Sequence, residues 1–312
     1  MSAPLRTTSP VDLSRVSGFL FAFVACLSAM AELAARQTSP PKDWIEWQAK
    51  RRESVAGTNG WTTLVGRHWL REGMNFAGAD PTNQAVLPAG RSPTSLGRFV
   101  RAGRSVRFEA APGVEATING KPVQTADLES DRDGNPTGDY VGPLSFVIIE
   151  RGDRVGLRVR DPEAPARVHF SGLKYFPFDA SWRLTGRFES FSRPRTMRVS
   201  DVTGGIQEYP SPGAVVFQRD GAEYRLDVAV EPDEDDYFVI FRDRTAGEST
   251  YESGRFLYVS RPGANGEVTI DFNRAYTPPC GFTAFATCPL PPSQNWLPFA
   301  IRAGELKPET HP

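Results

Sequence analysis

Two polar clusters near the C-terminal end contain the side chains best suited to chemistry. The first, residues 241–255, joins two apolar runs, and the second, residues 271–276, follows a third. Loops at strand ends gather at one rim of a barrel or sandwich, so we expect both clusters at one ligand site. The predicted ligand-binding residues are Arg242, Asp243, Arg255, Asp271, Asn273, Arg274 and Tyr276.

The residue types of these clusters leave three functions open. Arginine recognises carboxylates and phosphates with two parallel hydrogen bonds, which favours binding of a small polar or anionic ligand. Alternatively, Asp243 or Asp271 activates water in a metal-independent hydrolase, if burial raises the pKa of its carboxyl. In the third interpretation the Arg–Asp pairs are structural, and the protein is a structural or interaction module of the cell envelope.

The segment 271–292 is rich in proline and contains Cys280 and Cys288. The third cysteine, Cys26, lies in the N-terminal apolar run and would be removed with it on export. The two cysteines that then remain predict one disulfide between Cys280 and Cys288. The seven residues between them do not match the spacing of zinc knuckles, and no histidine lies nearby, so we predict no metal site.

Overall composition argues against several partners. The 312 residues carry 36 basic and 37 acidic side chains, and no basic stripe suited to nucleic acid is present. The sequence lacks a Gly-x-Ser-x-Gly elbow, a phosphate-binding Gly-x-x-x-x-Gly-Lys loop and a Gly-x-Gly-x-x-Gly turn. We therefore predict a small-molecule ligand, no nucleic acid and no cofactor.

Residues 1–31 have the layout of a signal peptide or membrane anchor. Arg6 and Arg15 precede an apolar run over residues 18–30, and small residues occupy positions 29 and 31. We predict an exported protein of the periplasm or cell envelope. Contact with a membrane is expected only through this segment, if it is uncleaved or lipidated.

The remaining pattern predicts a mostly β fold. We expect an N-terminal amphipathic helix within residues 40–60, followed by two antiparallel β-rich halves, 61–165 and 166–305, and a tail, 306–312. Each half is expected to resemble a sandwich or barrel.

Local signals predict particular pairings. Asn119-Gly120 and Asp220-Gly221 are typical hairpin turns, and residues 144–149 and 155–159 predict two antiparallel strands with one solvated face. Residues 256–259 are expected to pair across Asn265-Gly266 with residues 268–272. The acidic run 231–236 predicts a solvated hairpin tip.

The sequence resembles a bacterial family described as domain of unknown function 1684. The resemblance rests on residues 60–66, 131–137 and 171–177, on Phe241-Arg-Asp243 with Thr250-Tyr251, and most specifically on residues 271–292. Thr277 and Gly281 depart mildly from the family pattern. The family implies no established activity.

Residues 76–88 also resemble the opening of a forkhead-associated β-sandwich, a fold that reads phosphothreonine. The serine and histidine that normally follow are not evident around residues 92–97. This resemblance therefore implies a β-sandwich and not the reading of phosphothreonine.

Overall fold

The computed structural model describes residues 40–133, 136–232 and 234–309. The predicted signal peptide or anchor, residues 1–31, lies outside them, as does the end of the predicted tail. Within the described ranges, no helix is both long enough and apolar enough to cross a membrane. The elements below all belong to one unit, Lys42–Pro312.

Helix α1 (Lys42–Ala56) confirms the predicted N-terminal helix. Asp43 lies in its first turn, where a negative charge is favourable, and the helix ends just before Gly57. Its buried side chains are Trp44, Arg51 and Val55, which the helical repeat places on one face.

Residues 64–160 form two sheets around one apolar core. The strands are β1 (Leu64–Trp69), β2 (Gly73–Gly78), β3 (Ala85–Val86), β4 (Gly97–Ala102), β5 (Ser105–Ala110), β6 (Ala116–Ile118), β7 (Lys121–Val123), β8 (Thr125–Leu128), β9 (Asp139–Val141), β10 (Leu144–Arg151) and β11 (Arg154–Arg160). One sheet has the order β1-β11-β10-β9-β6-β7 and the other β3-β2-β4-β5-β8. Phe99, Phe108 and Phe146 pack together between them.

Later residues form a second set of sheets after a short helix, α2 (Pro165–Val168). Its strands are β12 (Arg183–Ser200), β13 (Ile206–Arg219), β14 (Ala222–Asp227), β15 (Tyr237–Phe241), β16 (Arg255–Val259) and β17 (Glu267–Asp271). They form a four-stranded sheet, β14-β13-β12-β17, and a two-stranded sheet, β15-β16. The mostly β, antiparallel fold class is thereby confirmed, while the predicted domain boundary near residue 165 stays a prediction.

Two of the predicted hairpins, at Asn119-Gly120 and Asp220-Gly221, are confirmed. Asn119 and Gly120 have φ angles of 50° and 74° between β6 and β7, and Asp220 and Gly221 have 50° and 77° between β13 and β14. Positive φ at both central residues gives a turn whose twist matches the flanking strands.

The pairing expected across Asn265-Gly266 is wrong. Strand β16 pairs with β15, and β17 pairs instead with β12, where Arg183 lies opposite Asp271. Strand β17 is thus the end strand of the four-stranded sheet, and β16 belongs to a separate two-stranded sheet. The two polar clusters therefore do not leave one hairpin.

Strand β11 has a second buried face. Val155, Leu157 and Val159 point into the core of the first two sheets, so Arg154, Arg158 and Arg160 lie on the opposite face. We predicted that this face would be solvated, which is wrong at Arg158, because the residue is only 5% exposed and its guanidinium lies over the Trp61 ring.

Candidate functional site

A cleft of about 870 Å³ lies where the covered face of β11 meets helix α1 and the strands that follow residue 200. Helix α1 contributes Trp47 and Arg51, and β10 and β11 contribute Arg151 and Arg158. Its size suits a small organic molecule.

One wall of the cleft consists of five aromatic rings. They are Tyr209, Phe238, Phe256, Tyr258 and Tyr276. The Tyr258 and Tyr276 rings are stacked at 6.3 Å between centroids, and Phe238 meets Phe256 edge to face at 4.8 Å. The alternation of β16 explains this wall, because Phe256 and Tyr258 point to the cleft while Leu257 and Val259 enter the core behind it.

Glu231 lies beside this wall, in the segment between β14 and β15. The Tyr258 hydroxyl donates to Glu231 Oε2 at 2.6 Å. This is the one side-chain hydrogen bond of Glu231 among the described residues. Burial raises the pKa of the Glu231 carboxyl, and the bond from Tyr258 opposes that rise. The prediction of a fully solvated acidic tip is therefore wrong at Glu231, which is half-buried.

Arg158 lies on another wall of the cleft, with its guanidinium 5.3 Å from the centroid of the Trp61 ring. Within the described part of the chain, no acidic group pairs with it, and its Nε has no hydrogen-bond partner. Burial, and secondarily the charge of Arg151, lower the pKa of Arg158 to about 9. Arg158 is still charged at neutral pH.

The two neighbouring arginines of the cleft are already engaged. Arg151 donates two hydrogen bonds to Asp131, at 3.0 and 2.8 Å. Arg51 donates to Glu305 at 3.0 Å and to the Thr277 carbonyl at 2.6 Å. Arg158 thus differs from both in lacking a partner.

Arg255 and Asp243, two of the predicted site residues, lie deep in the second half. Arg255 Nη2 donates to Asp243 Oδ1 at 3.0 Å and to the Ile301 carbonyl at 3.0 Å. The backbone amide of Ile301 donates to Asp243 Oδ2 at 2.7 Å. The carboxylate and guanidinium therefore bond each other and the backbone at 301–303, although Arg255 Nε has no hydrogen-bond partner among the described residues.

Asp271, Asn273 and Arg274 lie where β17 ends. Asp271 accepts from the backbone amide of Asn273 at 3.1 Å, and Asn273 bonds both backbone groups of Asp179. Arg274 forms ion pairs with Asp43 and, at 3.7 Å, with Asp271. These contacts fasten helix α1 and residue 179 to the end of the strand.

Of the seven predicted residues, Tyr276 lines the large cleft and the other six do not. Arg242 bonds the Glu252 carbonyl and lies 5.7 Å from the Trp296 ring. Tyr276 therefore lies in the cleft and the other six residues lie elsewhere. The binding or catalytic roles of all seven stay predictions. Thr287 and Cys288, from the proline-rich segment, also line the cleft.

The predicted disulfide is absent, because Cys280 and Cys288 are both free and buried. The backbone amide of Cys280 donates to Cys288 Sγ at 3.1 Å. Burial raises the pKa of the Cys288 thiol, whereas a hydrogen bond with Cys288 lowers that of Cys280. Hydrogen bonds, such as that from the Val202 amide to the Cys288 carbonyl at 3.0 Å, hold the segment in place.

These features define a mostly β protein with an aromatic cleft, and comparison with known proteins places it in a family. Residues 168–306 match the sequence profile of the family described as protein of unknown function (DUF1684). The chain belongs to this family, as its residue pattern predicted. No match was found among curated proteins.

Solved structures give further similarities. An uncharacterised protein of Haloarcula marismortui, solved by NMR, is 32% identical over 45% of this chain and 78% of its own, with a TM-score of 0.38. The FhaA FHA domain, solved in complex with the intracellular domain of Rv3910, is 20% identical over 30% of this chain and 97% of its own, with a TM-score of 0.22. A domain from a study of phosphothreonine-dependent FHA interactions is 21% identical over 31% of this chain and 96% of its own, with a TM-score of 0.22. The FHA matches agree with the forkhead-associated resemblance of residues 76–88, and at these TM-scores they carry no functional argument.

Proposed function

We propose that this protein binds a small organic anion in the large cleft and that Arg158 holds the anionic group. The observation that carries the proposal is the buried Arg158 guanidinium, which lines the cleft without an acidic partner among the described residues. This site replaces the rim of the second half as the proposed place of binding.

The argument rests on the free energy of a buried charge. A buried cation is costly unless it is paired and hydrogen-bonded, and nearly all buried polar groups find partners. Arg151 and Arg51, a short distance along the same cleft, have theirs. A carboxylate or phosphate on the ligand would supply the missing partner of Arg158, with two parallel hydrogen bonds.

The aromatic wall defines the rest of the ligand. Burial raises the pKa values of Tyr209, Tyr258 and Tyr276, so all three rings stay neutral at physiological pH. Their faces favour an apolar or planar group through burial of apolar surface and ring stacking. We therefore propose a ligand with an apolar body that ends in a carboxylate or phosphate.

The test is calorimetric titration of the protein with 3-phenylpropionate, 4-phenylbutyrate and phenyl phosphate, before and after Arg158→Gln. Glutamine keeps hydrogen-bonding capacity without the charge, so we expect Kd to rise at least about tenfold, or ~1.4 kcal/mol. The matched control is Arg107→Gln, because Arg107 pairs with Asp127 on the exposed surface and should leave Kd unchanged. Equal binding by Arg158→Gln and the parent protein, or no binding of any of these anions, would refute the proposal.

Export to the periplasm or cell envelope is part of the proposal and rests on the pattern of residues 1–31. Fractionation of the native host, followed by sequencing of the mature N-terminus, tests it. Recovery of full-length chain in the cytoplasmic fraction would oppose export.

A further inference from the structure

The ion pair of Arg151 with Asp131 limits the charge that a ligand can carry beside Arg158. We infer that the anionic group of the ligand is a carboxylate and that Asp131 selects it over a phosphate. This inference deepens the proposed function and depends on it for the contact with Arg158.

Arg151 and Asp131 belong to the surroundings of Arg158. Both line the cleft, and the charges of both act on the Arg158 guanidinium. Arg160 acts on it as well, but Arg160 does not line the cleft and donates to the backbone carbonyl of Gly60. An anion bound to Arg158 from the cleft therefore lies within reach of the negative charge of Asp131.

Arg151 has little hydrogen-bonding capacity left for a ligand. Its Nε donates to the Thr287 hydroxyl at 2.9 Å, its Nη2 to Asp131 at 2.8 Å, and its Nη1 to both Asp131 and the Glu150 carbonyl. The two oxygens of a carboxylate match the two parallel hydrogen bonds that one guanidinium can donate. A phosphate monoester has a third terminal oxygen, which would need a donor besides Arg158.

Charge gives a second reason for a carboxylate. Arg151 and Asp131 offset each other, so the charge of Arg158 is the one left for the ligand to balance. A carboxylate brings one negative charge, whereas a phosphate monoester carries about 1.5–2 at neutral pH. The excess would lie near Asp131 in a partly buried site, where like charges repel strongly. Acidic and basic side chains line the cleft in equal number, so its described walls carry no surplus of positive charge to offset that excess.

The experiment measures Kd by calorimetry on the full chain near neutral pH, with probes matched in length. 3-Phenylpropionate is compared with benzyl phosphate, and 4-phenylbutyrate with 2-phenylethyl phosphate. We expect each carboxylate to bind at least about tenfold more tightly than its phosphate counterpart. The methyl ester of benzyl phosphate keeps the tetrahedral group with a single negative charge, and it should bind at least about threefold more tightly than benzyl phosphate.

The variant Asp131→Asn tests the origin of the preference, because it removes the negative charge and keeps an oxygen that accepts from Arg151. The ratio of the phosphate Kd to the carboxylate Kd should fall at least about threefold, since a dianion gains more than a monoanion from the change. Asp127→Asn is the matched control, because Asp127 pairs with Arg107 on the exposed surface and should leave the ratio unchanged. The order of the probes on the parent protein needs no variant, so it tests the carboxylate even if Asp131→Asn does not fold.

The outcomes separate the two proposals. Equal or tighter binding of the phosphates, lost in Arg158→Gln, overturns the carboxylate and keeps the anion site. An unchanged ratio in folded Asp131→Asn overturns the selecting role of Asp131. Absence of binding by every anion in the series overturns the proposed function itself.

Discussion

The guanidinium of Arg255 lies 3.0 Å from Oδ1 of Asp243, and their side chains are only 1% and 2% exposed. Both residues belong to the polar cluster in which the sequence predicted ligand binding. Their partners are instead each other and the backbone of Ile301 and Ala303. This pair joins β16 to the C-terminal segment.

Replacing Asp243 by alanine should destabilise the protein by about 3–5 kcal/mol, because Arg255 would become a buried cation without an acidic partner. Chemical denaturation measures the change. Asp127→Ala removes an exposed acid paired with Arg107 and should change the free energy of unfolding by less than about 1 kcal/mol. Similar values for the two variants would contradict the structural role of Asp243.

Replacing Arg158 by methionine should stabilise the free protein by about 1–3 kcal/mol. The change removes a buried charge without an acidic partner and fills similar volume with an apolar side chain. Thermal unfolding should show a higher Tm together with loss of the stabilisation that 3-phenylpropionate gives the parent protein. A lower Tm would mean that the charge itself supports the fold.

The raised pKa of Glu231 predicts a pH-dependent difference from Glu231→Gln. The folded protein holds this proton more tightly than the unfolded chain, so the contribution of Glu231 to stability is fully present below its ordinary pKa of 4.5. It is lost as pH rises through the raised pKa. The groups around it are Tyr258, Tyr276, Tyr209, Arg151 and Glu234.

Thermal unfolding from pH 4 to 8 checks this sign. The Tm of the parent protein should fall relative to that of Glu231→Gln as pH rises. A parallel pair of curves would show that Glu231 titrates alike in the folded and unfolded chain.

Arg51 holds helix α1 against the C-terminal segment through Glu305, and both side chains are buried. Arg51→Ala should cost about 3–5 kcal/mol, because it leaves Glu305 without its ion-pair partner. Hydrogen exchange should also become faster across residues 42–56. Arg52→Ala, at the adjacent exposed position, is the control and should leave the exchange unchanged.

The two thiols should be free. Protein unfolded without reductant in the presence of a thiol reagent should carry one label on the Cys280 peptide and one on the Cys288 peptide, as measured by mass spectrometry. A cross-linked, unlabelled pair would restore the disulfide predicted from the sequence.

Local chemistry made part of this fold predictable. Helix α1 and the turns at Asn119-Gly120 and Asp220-Gly221 depend on residues close in sequence, and all three were predicted correctly. The pairing of β17 with β12 joins residues more than sixty positions apart, and nothing local distinguishes it from a hairpin with β16.

The candidate site was less predictable because burial is decided by distant packing. Alternation along β11 correctly placed Arg158 opposite Val155 and Leu157, but it could not show that another part of the chain covers that face. For the same reason, the half-buried position of Glu231 could not be predicted, since its neighbours in sequence are other acidic residues. A useful signal was Tyr276, which the polar cluster identified and which does line the cleft.

The family match begins at residue 168, whereas Trp47, Arg51, Trp61 and Arg158 come from the preceding part of the chain. The matched region therefore contains the aromatic wall and Glu231 but not the cation that faces them. A homologue that shared this region alone would need a different N-terminal portion to complete the cleft. Under the proposed function, exchange of that portion would change the charge that a ligand must carry at this end of the cleft, while the matched residues 168–306 stayed the same.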